Sequence, residues 1–304
     1  MELKNLNIYY LIVLITPLLV TGPFFSDFFL VFLVLFFLSK NFNLIFDYSK
    51  NLVLLKVLIF FTFYNIIVSV FSENIFVSLK SSLSYMRFFL FICLFIYVFK
   101  KYEDIKKKFF YLLLITVIFI SLDAIFQFYF KYNFLGWPID SKFRISGLFG
   151  TEYILGSYLV RCIPILLSLF FYLNEKRLIK LKKNFLYLTF LICYFAILIS
   201  GERTAFFMMN MFLFLYLFFI INISIKKKIL SFILVSLIAI TAIFSSENLR
   251  QRFIKLTFHN LEMNSKDKTV DKFFAYDEKN KTFIHQNIKH LFVAKQIFLE
   301  RPFF

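Results

Sequence analysis

This sequence of 304 residues contains little glycine and proline, with six and five residues respectively. That scarcity argues against a fold built from many loops or repeats, and no internal repeat is found. It also contains only three cysteines, Cys93, Cys162 and Cys193, all inside apolar runs, where cysteine behaves as a small hydrophobic residue. Neither a disulfide framework nor a cysteine–histidine metal site is therefore predicted.

Acidic residues are also scarce, since 18 Asp and Glu stand against 35 Lys and Arg, which gives a formal net charge of +17. A large positive charge can indicate a nucleic-acid-binding protein, but the position of the charges matters more than their number. The lysines lie mostly between apolar runs, so no nucleic-acid partner is predicted. No P-loop, GxGxxG or HExxH motif is present, so the sequence supports neither ATP-driven transport nor zinc proteolysis, and no metal or cofactor is predicted.

Long apolar runs are abundant, with 61% hydrophobic residues, 22% aromatic residues and a mean hydropathy of +0.78. The apolar residues come in blocks of roughly twenty, the length that crosses the hydrocarbon core of a bilayer as a helix. We therefore predict an all-α polytopic integral membrane protein with about nine transmembrane helices. The first run lacks a small-x-small cleavage site and is predicted to be retained as a helix. The runs lie near 7–21, 24–39, 51–71, 84–99, 109–130, 152–173, 184–200, 204–222 and 229–245.

The connecting segments alternate in charge along the chain. "KKYEDIKKK" (100–108), "NEKRLIKLKK" (174–183) and "KKK" (226–228) are rich in lysine, whereas "TGPFFSD", "SENIFVSLKSS" and "GERT" carry one basic residue each or none. Lysine-rich loops stay in the cytoplasm. This pattern predicts a multi-pass protein with a cytoplasmic N-terminus, and places on the outer face the residues Arg144, Glu152, Glu202, Arg203 and everything after Ser245.

Two domains are predicted: a transmembrane helical bundle over 1–245 and an outer-face loop region over 246–304 that is incomplete at its C-terminal end. The second region is polar and mixed in charge. Its last part, "FIHQNIKHLFVAKQIFLERPFF", has apolar residues at helical spacing, which predicts an amphipathic helix on the outer face.

Ionisable residues within spans are rare and costly, so each is a candidate for function. Asp123 lies about two turns from the outer end of its helix, with Gln127 one turn above on the same face. Arg161 lies roughly ten residues into the next predicted helix. We expect the two to form an ion pair, which either fixes the register of the helices or handles substrate.

Arginines also occur on the predicted outer face. Arg144 precedes a stretch with half of the glycines of the chain, Gly147, Gly150 and Gly156, which serve either close approach to a ligand or the shape of a loop. Arg203 follows Gly201 in "SGERTA", where Glu202 is expected to orient or temper it. Arg87 is expected near the outer start of its helix.

Convergent arginines at one membrane face suit a phosphate or pyrophosphate, because the guanidinium stays charged and holds paired oxygens in a fixed fork. The three histidines, His259, His285 and His290, all lie in the predicted outer tail. A histidine there can act as a general base, although a lone surface histidine usually does not.

Three segments resemble the O-antigen ligase/polymerase family: "FRISGLFGTEYILGSYLVRCIPILL", "LISGERTAFFMMNMFLFLYLF" and "HLFVAKQIFLERPFF". The resemblance covers about 140 to 304. It implies a helical bundle of the GT-C-like kind in the bacterial inner membrane, with residues 246–304 in the periplasm. It also implies a metal-independent glycosyltransferase of cell-surface polysaccharide or lipopolysaccharide biosynthesis. Such an enzyme moves a glycan from a polyprenyl-pyrophosphate carrier to the hydroxyl of a glycan or lipid acceptor, with membrane lipids around it.

By the same resemblance, Arg144 and Arg203 correspond to the arginines that hold the pyrophosphate, with Arg161, Asp123, Glu202 and Arg87 as possible supporting residues. The catalytic residue is not assigned, because the outer-loop histidine of the family follows a Gly-x-Gly turn beyond Phe304. The chain is thus expected to lack an outer-loop portion and two or three further helices. Two alternatives stay open: a transporter or flippase that uses Asp123 and Arg161 as a relay, and an inactive truncated remnant.

Overall fold

The computed structural model describes residues 9–51, 53–72, 74–139, 144–221, 224–255, 276–277, 282–283 and 299. After a 3-10 turn at Tyr10–Leu14, the longer helices follow one another with short connections. They are α1 (Ile15–Leu18), α2 (Pro23–Asn51), α3 (Val53–Val70), α4 (Ile75–Lys101), α5 (Glu103–Phe130), α6 (Leu155–Glu175), α7 (Lys183–Ile199), α8 (Arg203–Leu215), α9 (Ile225–Ser245) and α10 (Glu247–Arg250). A π-helical turn extends α8 over Tyr216–Ile220, and another follows α10 over Gln251–Lys255.

Among the described residues, five helices are long and apolar enough to cross a membrane: α4, α5, α6, α8 with its π-helical extension, and α9. Shorter apolar helices lie at Phe24–Ser39, Leu55–Val70 and Lys183–Ile199. The chain is therefore a multi-pass α-helical membrane protein. Helix occurs within each of the nine predicted runs, but in the first it is broken into a 3-10 turn and the four-residue α1.

Two predicted loops are largely helical. The segment "SENIFVSLKSS" was expected to lie outside the spans, but α4 already begins at Ile75. Likewise, α4 ends at Lys101 and α5 begins at Glu103, so Tyr102 alone separates them within "KKYEDIKKK". Hydropathy reports which residues tolerate lipid, whereas a helix continues through polar residues until a breaker ends it. Neither stretch contains glycine or proline.

Helices α5, α6 and α7 form the centre of the bundle. In α5 and in α6, 56% of the most apolar 18-residue window is buried inside the protein, whereas in α9 only 6% is. Phe110 of α5 and Phe170 of α6 are almost completely buried and their rings lie 6.3 Å apart. Residues that lie between α5, α6 and α7 are therefore closely packed by the helices around them.

The chain divides into two compact units. The first comprises Met1–Val57 and Arg87–Phe253 and contains all the residues of the candidate site described below. The second comprises Leu58–Met86 and Ile254–Phe304. Within the second unit, the hydroxyl of Ser82 donates to the carbonyl of Asn65 at 3.2 Å, and Tyr276–Asp277 pairs antiparallel with Thr282–Phe283. The predicted amphipathic helix lies outside the described residues, except for Leu299.

Candidate anion site at the start of helices α6 and α8

Helix α5 ends at Phe130 because Lys131 adopts a left-handed conformation (φ 71°), and its amide closes the helix on the Gln127 carbonyl. The chain then forms a small hairpin over 131–139. The amide of Phe134, at its tip, donates to Asp123 Oδ1 at 2.8 Å. Since Asp123 lies seven residues before the end of α5, the tip folds back along the helix by about 10 Å.

This hairpin explains why the span contains an aspartate. Non-helical backbone at membrane depth requires partners for its polar groups, and the Asp123 carboxylate supplies one. Gln127 Oε1 accepts from the Gly147 amide at 2.8 Å, and Asn133 Nδ2 donates to the Gly147 carbonyl at 3.0 Å. The other carboxylate oxygen of Asp123 is buried without a hydrogen bond. It lies 3.0 Å from the position that a Cβ at Gly147 would occupy, so a side chain there would collide with it.

The expected ion pair between Asp123 and Arg161 does not form. Asp123 is completely buried and bound to the hairpin, whereas Arg161 is exposed on the surface of α6. Arg161 is also less deep in its helix than predicted, because α6 begins at Leu155 and not near residue 152. Six residues of helix correspond to about 9 Å. The buried carboxylate of Asp123 thus holds the hairpin against α5 and does not join α5 to α6.

Arg87 also lies elsewhere than expected. It stands twelve residues after Ile75, the first residue of α4, and so near the middle of that helix. Its guanidinium donates to Asp27 Oδ2 at 2.8 Å and lies 4.9 Å from the centre of the Phe88 ring. The side chains of Arg87 and Asp27 are 33% and 41% exposed. Arg87 is therefore paired within the first unit, and the pair lies apart from the arginines described next.

The segment "SGERTA" forms a tight turn between α7 and α8. Ser200 donates its hydroxyl to the Ile197 carbonyl and accepts the Glu202 amide, and Gly201 takes a positive φ of 71°. Arg203 is then the first residue of α8. Turn 200–202 therefore fixes the backbone from which the side chains of Glu202 and Arg203 extend, because the turn lies between two packed helices.

The Glu202 carboxylate binds the beginning of α6. It accepts hydrogen bonds from the Gly156 amide at 2.7 Å, the Ser157 hydroxyl at 2.7 Å and the Ser157 amide at 3.3 Å. Amide groups in the first turn of a helix have no partner within the helix, and an anion there is favoured by the helix dipole. Glu202 was expected to orient or temper Arg203, which stays a prediction; the contacts show that Glu202 caps α6 from the neighbouring turn.

Gly156 makes this cap possible. A Cβ atom at this position would lie 2.8 Å from the Ser200 hydroxyl, 3.1 Å from the Ala205 Cβ and 3.2 Å from Glu202 Oε1. No side chain fits there without displacement. Gly156 therefore permits close packing of α6 against turn 200–202, which differs from the two uses predicted for the glycine-rich stretch.

Arg144 approaches the same turn from the other side. The amide of its neighbour Ile145 donates to the Ser200 carbonyl at 3.3 Å. The Arg144 guanidinium donates to the Tyr153 carbonyl at 2.7 Å and lies 4.8 Å from the centre of the Tyr153 ring, while its Nε is buried without a hydrogen bond. These contacts orient the guanidinium, and none of them neutralises its charge.

A third arginine, Arg252, completes the group and was not predicted. Its Nε donates to the Gly201 carbonyl at 3.1 Å, and the neighbouring Phe253 ring packs edge-on against Phe206. Burial, followed by the positive charges of Arg203 and Arg144, lowers the pKa of the Arg252 guanidinium. The sequence signal was a basic residue just after the last apolar run, on the side where the loops otherwise carry little lysine.

Arg144, Arg203 and Arg252 thus meet around turn 200–202, and we call them the arginine cluster. Each side chain is half-buried and originates from a different segment of the chain. Guanidinium groups in this arrangement offer forked donors to an oxyanion with more than one oxygen. Among the described residues, no group of three histidine, cysteine or acidic side chains could hold a metal ion. All three histidines, the candidate general bases, lie outside the described residues.

No protein-family model matches the sequence, and comparisons with curated proteins and with solved structures find no significant match. The class of protein is therefore defined by the helices and by the arginine cluster: a multi-pass α-helical membrane protein with a cationic site at one end of its bundle.

Proposed function

We propose that this protein transfers a glycan from a polyprenyl-pyrophosphate carrier to an acceptor hydroxyl, as the resemblance to O-antigen ligases and polymerases implies. The observation that carries the proposal is the convergence of Arg144, Arg203 and Arg252 on turn 200–202. The Ile145 amide donates to the Ser200 carbonyl there, and the Arg252 side chain donates to the Gly201 carbonyl. A pyrophosphate carries several charged oxygens and fits such a cluster.

The chemistry follows from the charge of the leaving group. The acceptor oxygen forms a bond to the anomeric carbon, the bond from that carbon to the pyrophosphate oxygen breaks, and the proton of the acceptor passes to a base. Negative charge grows on the departing polyprenyl pyrophosphate during this step. The arginine cluster stabilises that charge, which is the kind of electrostatic stabilisation that lowers barriers most.

The location of the site agrees with such a substrate. The cluster lies where α6 and α8 begin, at the end of the bundle opposite to the lysine-rich segments 100–108, 174–183 and 226–228. If those segments face the cytoplasm of a bacterial cell, the cluster lies at the periplasmic face of the inner membrane. A lipid-linked pyrophosphate presents its charge at that depth, while its polyprenyl chain lies among the aromatic spans.

The transporter alternative receives less support. It required Asp123 and Arg161 to act as a relay inside the membrane, and Asp123 is buried beneath the hairpin while Arg161 is exposed. Asp123 instead binds the hairpin, and Arg161 lies exposed on the surface of α6.

The test compares variants of the full chain reconstituted in lipid nanodiscs. Arg144→Ala and Arg203→Ala should each lower glycan transfer about a hundredfold, the usual cost of removing one group that stabilises a developing anion. Arg144→Lys and Arg203→Lys should recover only part of this loss, because the fork is lost. Binding of inorganic pyrophosphate, measured by calorimetry, should weaken in parallel.

The matched control is Arg177→Ala, because Arg177 is an exposed arginine at the opposite end of α6. It should change neither transfer nor pyrophosphate binding. Full transfer by Arg144→Ala or Arg203→Ala, in protein that is expressed and folded normally, would exclude that residue from the site.

A further inference from the structure

The hairpin that follows α5 carries the single tryptophan of the chain. Trp137 is 45% exposed, and with Pro138, Gly150 and Thr151 it lines an open cavity of about 300 Å³. Exposed tryptophan is uncommon on a surface that does not bind something, since its ring is large and apolar. This cavity lies near the arginine cluster, and its position indicates which part of a ligand it could bind.

The backbone of Trp137 is held rigidly. Its amide donates to Asn133 Oδ1 at 2.8 Å, and its carbonyl accepts from the Asn133 amide at 2.9 Å and from Gln127 Nε2 at 3.5 Å. Asn133 is itself buried and bound to the Gly147 carbonyl. Because the ring starts from an ordered backbone, a ligand that stacks on it does not have to order the chain first.

The cavity also lies close to the arginine cluster along the chain. Thr151 is two residues from Tyr153, whose carbonyl binds Arg144 and whose ring lies beneath its guanidinium. Two residues span at most about 7 Å, so the cavity lies on the order of 10 Å from the guanidinium, which is the length of one or two sugar rings.

We infer that this cavity binds the sugar residues next to the pyrophosphate of the donor, with the apolar face of a pyranose stacked on Trp137 and a hydroxyl hydrogen-bonded to Thr151. The inference rests on the proposed function for its choice of ligand. A pyranose has an apolar face of C–H groups and a rim of hydroxyls, and a cavity with one aromatic wall and one hydroxyl group complements both.

The competing explanation is that Trp137 anchors the protein in the lipid interface, where tryptophan is common. An anchor needs an outward-facing ring but no cavity beside it. Here the ring packs against Gly150, with ring atoms 3.7 Å from the position a Cβ would occupy, and so forms one wall of a recess.

Because Trp137 is the only tryptophan, its fluorescence reports on this cavity alone. The full chain in mixed micelles of detergent and phosphatidylcholine, which contain no other protein, is titrated with the soluble sugars chitotriose, maltotriose and mannotriose. We expect a saturable change in intensity and emission maximum with at least one of them, at a dissociation constant of about 1 mM. The absence of a saturable change with all three would overturn the inference.

A second titration uses mixed micelles made with brominated phosphatidylcholine, which quenches tryptophan in contact with lipid. A bound sugar should shield the ring and weaken any quenching. Strong quenching that the sugar leaves unchanged would show that the ring lies in lipid, and would overturn the inference in favour of an anchor.

Two variants separate the ring from the hydroxyl, with calorimetry as the measurement, since one of them removes the fluorophore. Trp137→Leu should abolish sugar binding, whereas Trp137→Phe should retain part of it. Thr151→Val should weaken binding roughly fivefold to tenfold, the usual effect of one hydrogen bond. Tyr129→Leu is the matched control, because Tyr129 is an exposed aromatic residue of α5 outside the cavity.

Each titration is repeated with inorganic pyrophosphate, which tests the arginine cluster independently. If pyrophosphate binds normally to Trp137→Leu, the variant is folded and a loss of sugar binding is specific to the cavity. If pyrophosphate does not bind to the wild type while a sugar does, the proposed function fails and the sugar site stands. Sugar binding that survives in Trp137→Leu would refute the assignment of the ring.

Discussion

Two regions of the first unit contain arginines that were candidates for function, and they differ in what lies beside each guanidinium. Near the middle of α4, Arg87 is bound to the carboxylate of Asp27 at 2.8 Å. At turn 200–202, the carboxylate adjacent to Arg203 belongs to Glu202 and is bound to the amides of Gly156 and Ser157. The first arrangement pairs one guanidinium with one carboxylate, whereas in the second three guanidinium groups lie close together and the carboxylate is bound by backbone amides. The group that the nearby carboxylate binds, rather than the arginine itself, distinguishes an ion pair that stabilises structure from a site that attracts anions.

The largest expected effect comes from breaking the ion pair of α4. Asp27→Asn leaves the Arg87 guanidinium without its counter-charge on a helix that is long and apolar enough to cross a membrane. An unpaired arginine in such a helix costs about 3 kcal/mol, so we expect a loss of that size in the free energy of unfolding. The measurement is unfolding by SDS in mixed micelles, and pyrophosphate binding by the folded protein should stay unchanged.

The control for this change is the exchanged pair Asp27→Arg with Arg87→Asp. It retains both charges and should regain most of the lost stability. If Asp27→Asn also weakened pyrophosphate binding while the protein stayed folded, the Arg87 pair would belong to the anion site and the distinction between the two regions would fail.

A smaller effect is expected from Glu202, since its contacts lie at the end of the helix. Glu202→Ala removes three hydrogen bonds to the first turn of α6 and should lower the free energy of unfolding by about 2 kcal/mol. Glu202→Gln keeps hydrogen-bond acceptance but not the charge, and should lose about half as much.

Pyrophosphate binding should not weaken in Glu202→Gln once the fraction of folded protein is taken into account, because the removed charge is negative. Thermal unfolding and calorimetry on the same preparations measure both quantities. No loss in the Gln variant would show that the charge on Glu202 contributes nothing to the cap, whereas a loss equal to that of the Ala variant would show that the charge accounts for all of it.

The same contacts show how far the sequence could be interpreted. Apolar runs of about twenty residues correctly predicted helices over α5, α6, α8 and α9, because lipid imposes length and composition together. The predicted position of Arg87, near the start of its helix, was wrong. Hydropathy marks only the apolar part of α4, whereas the helix itself begins at Ile75. Charge alone does not reveal where a helix starts.

The site was predictable in part, for a related reason. Arg144 and Arg203 could be selected because arginine is rare and costly on an apolar chain. Their roles in binding stay predictions. The Glu202 cap, the hairpin on Asp123 and the contribution of Arg252 depend on contacts between residues 11 to 51 positions apart, and no local pattern encodes such contacts.

The smallest effect concerns Arg252, which offers the finest test of the comparison. Its pKa is lowered in the folded protein by burial and by the charges of Arg203 and Arg144. The folded state therefore holds this proton less tightly than the unfolded chain, so the charged guanidinium lowers stability over the whole pH range in which arginine is protonated. Salt is the practical variable, because it screens the repulsion between half-exposed charges.

Arg252→Gln removes that repulsion while keeping a donor for the Gly201 carbonyl. We expect a change in the free energy of unfolding of less than about 1 kcal/mol at low salt, in the stabilising direction. Added sodium chloride should stabilise the wild type more than the variant. Added pyrophosphate should also stabilise the wild type more than the variant, and by a larger amount, since a bound anion compensates the charge of the cluster directly.

The Arg87→Gln variant serves as the contrast. Because the partner of Arg87 is the carboxylate of Asp27, the same exchange should destabilise the protein, and added salt should narrow the difference in stability from the wild type. Equal responses of the Arg252 and Arg87 variants to salt would mean that the two regions do not differ in charge balance, and the assignment of the arginine cluster as an anion site would lose its electrostatic basis.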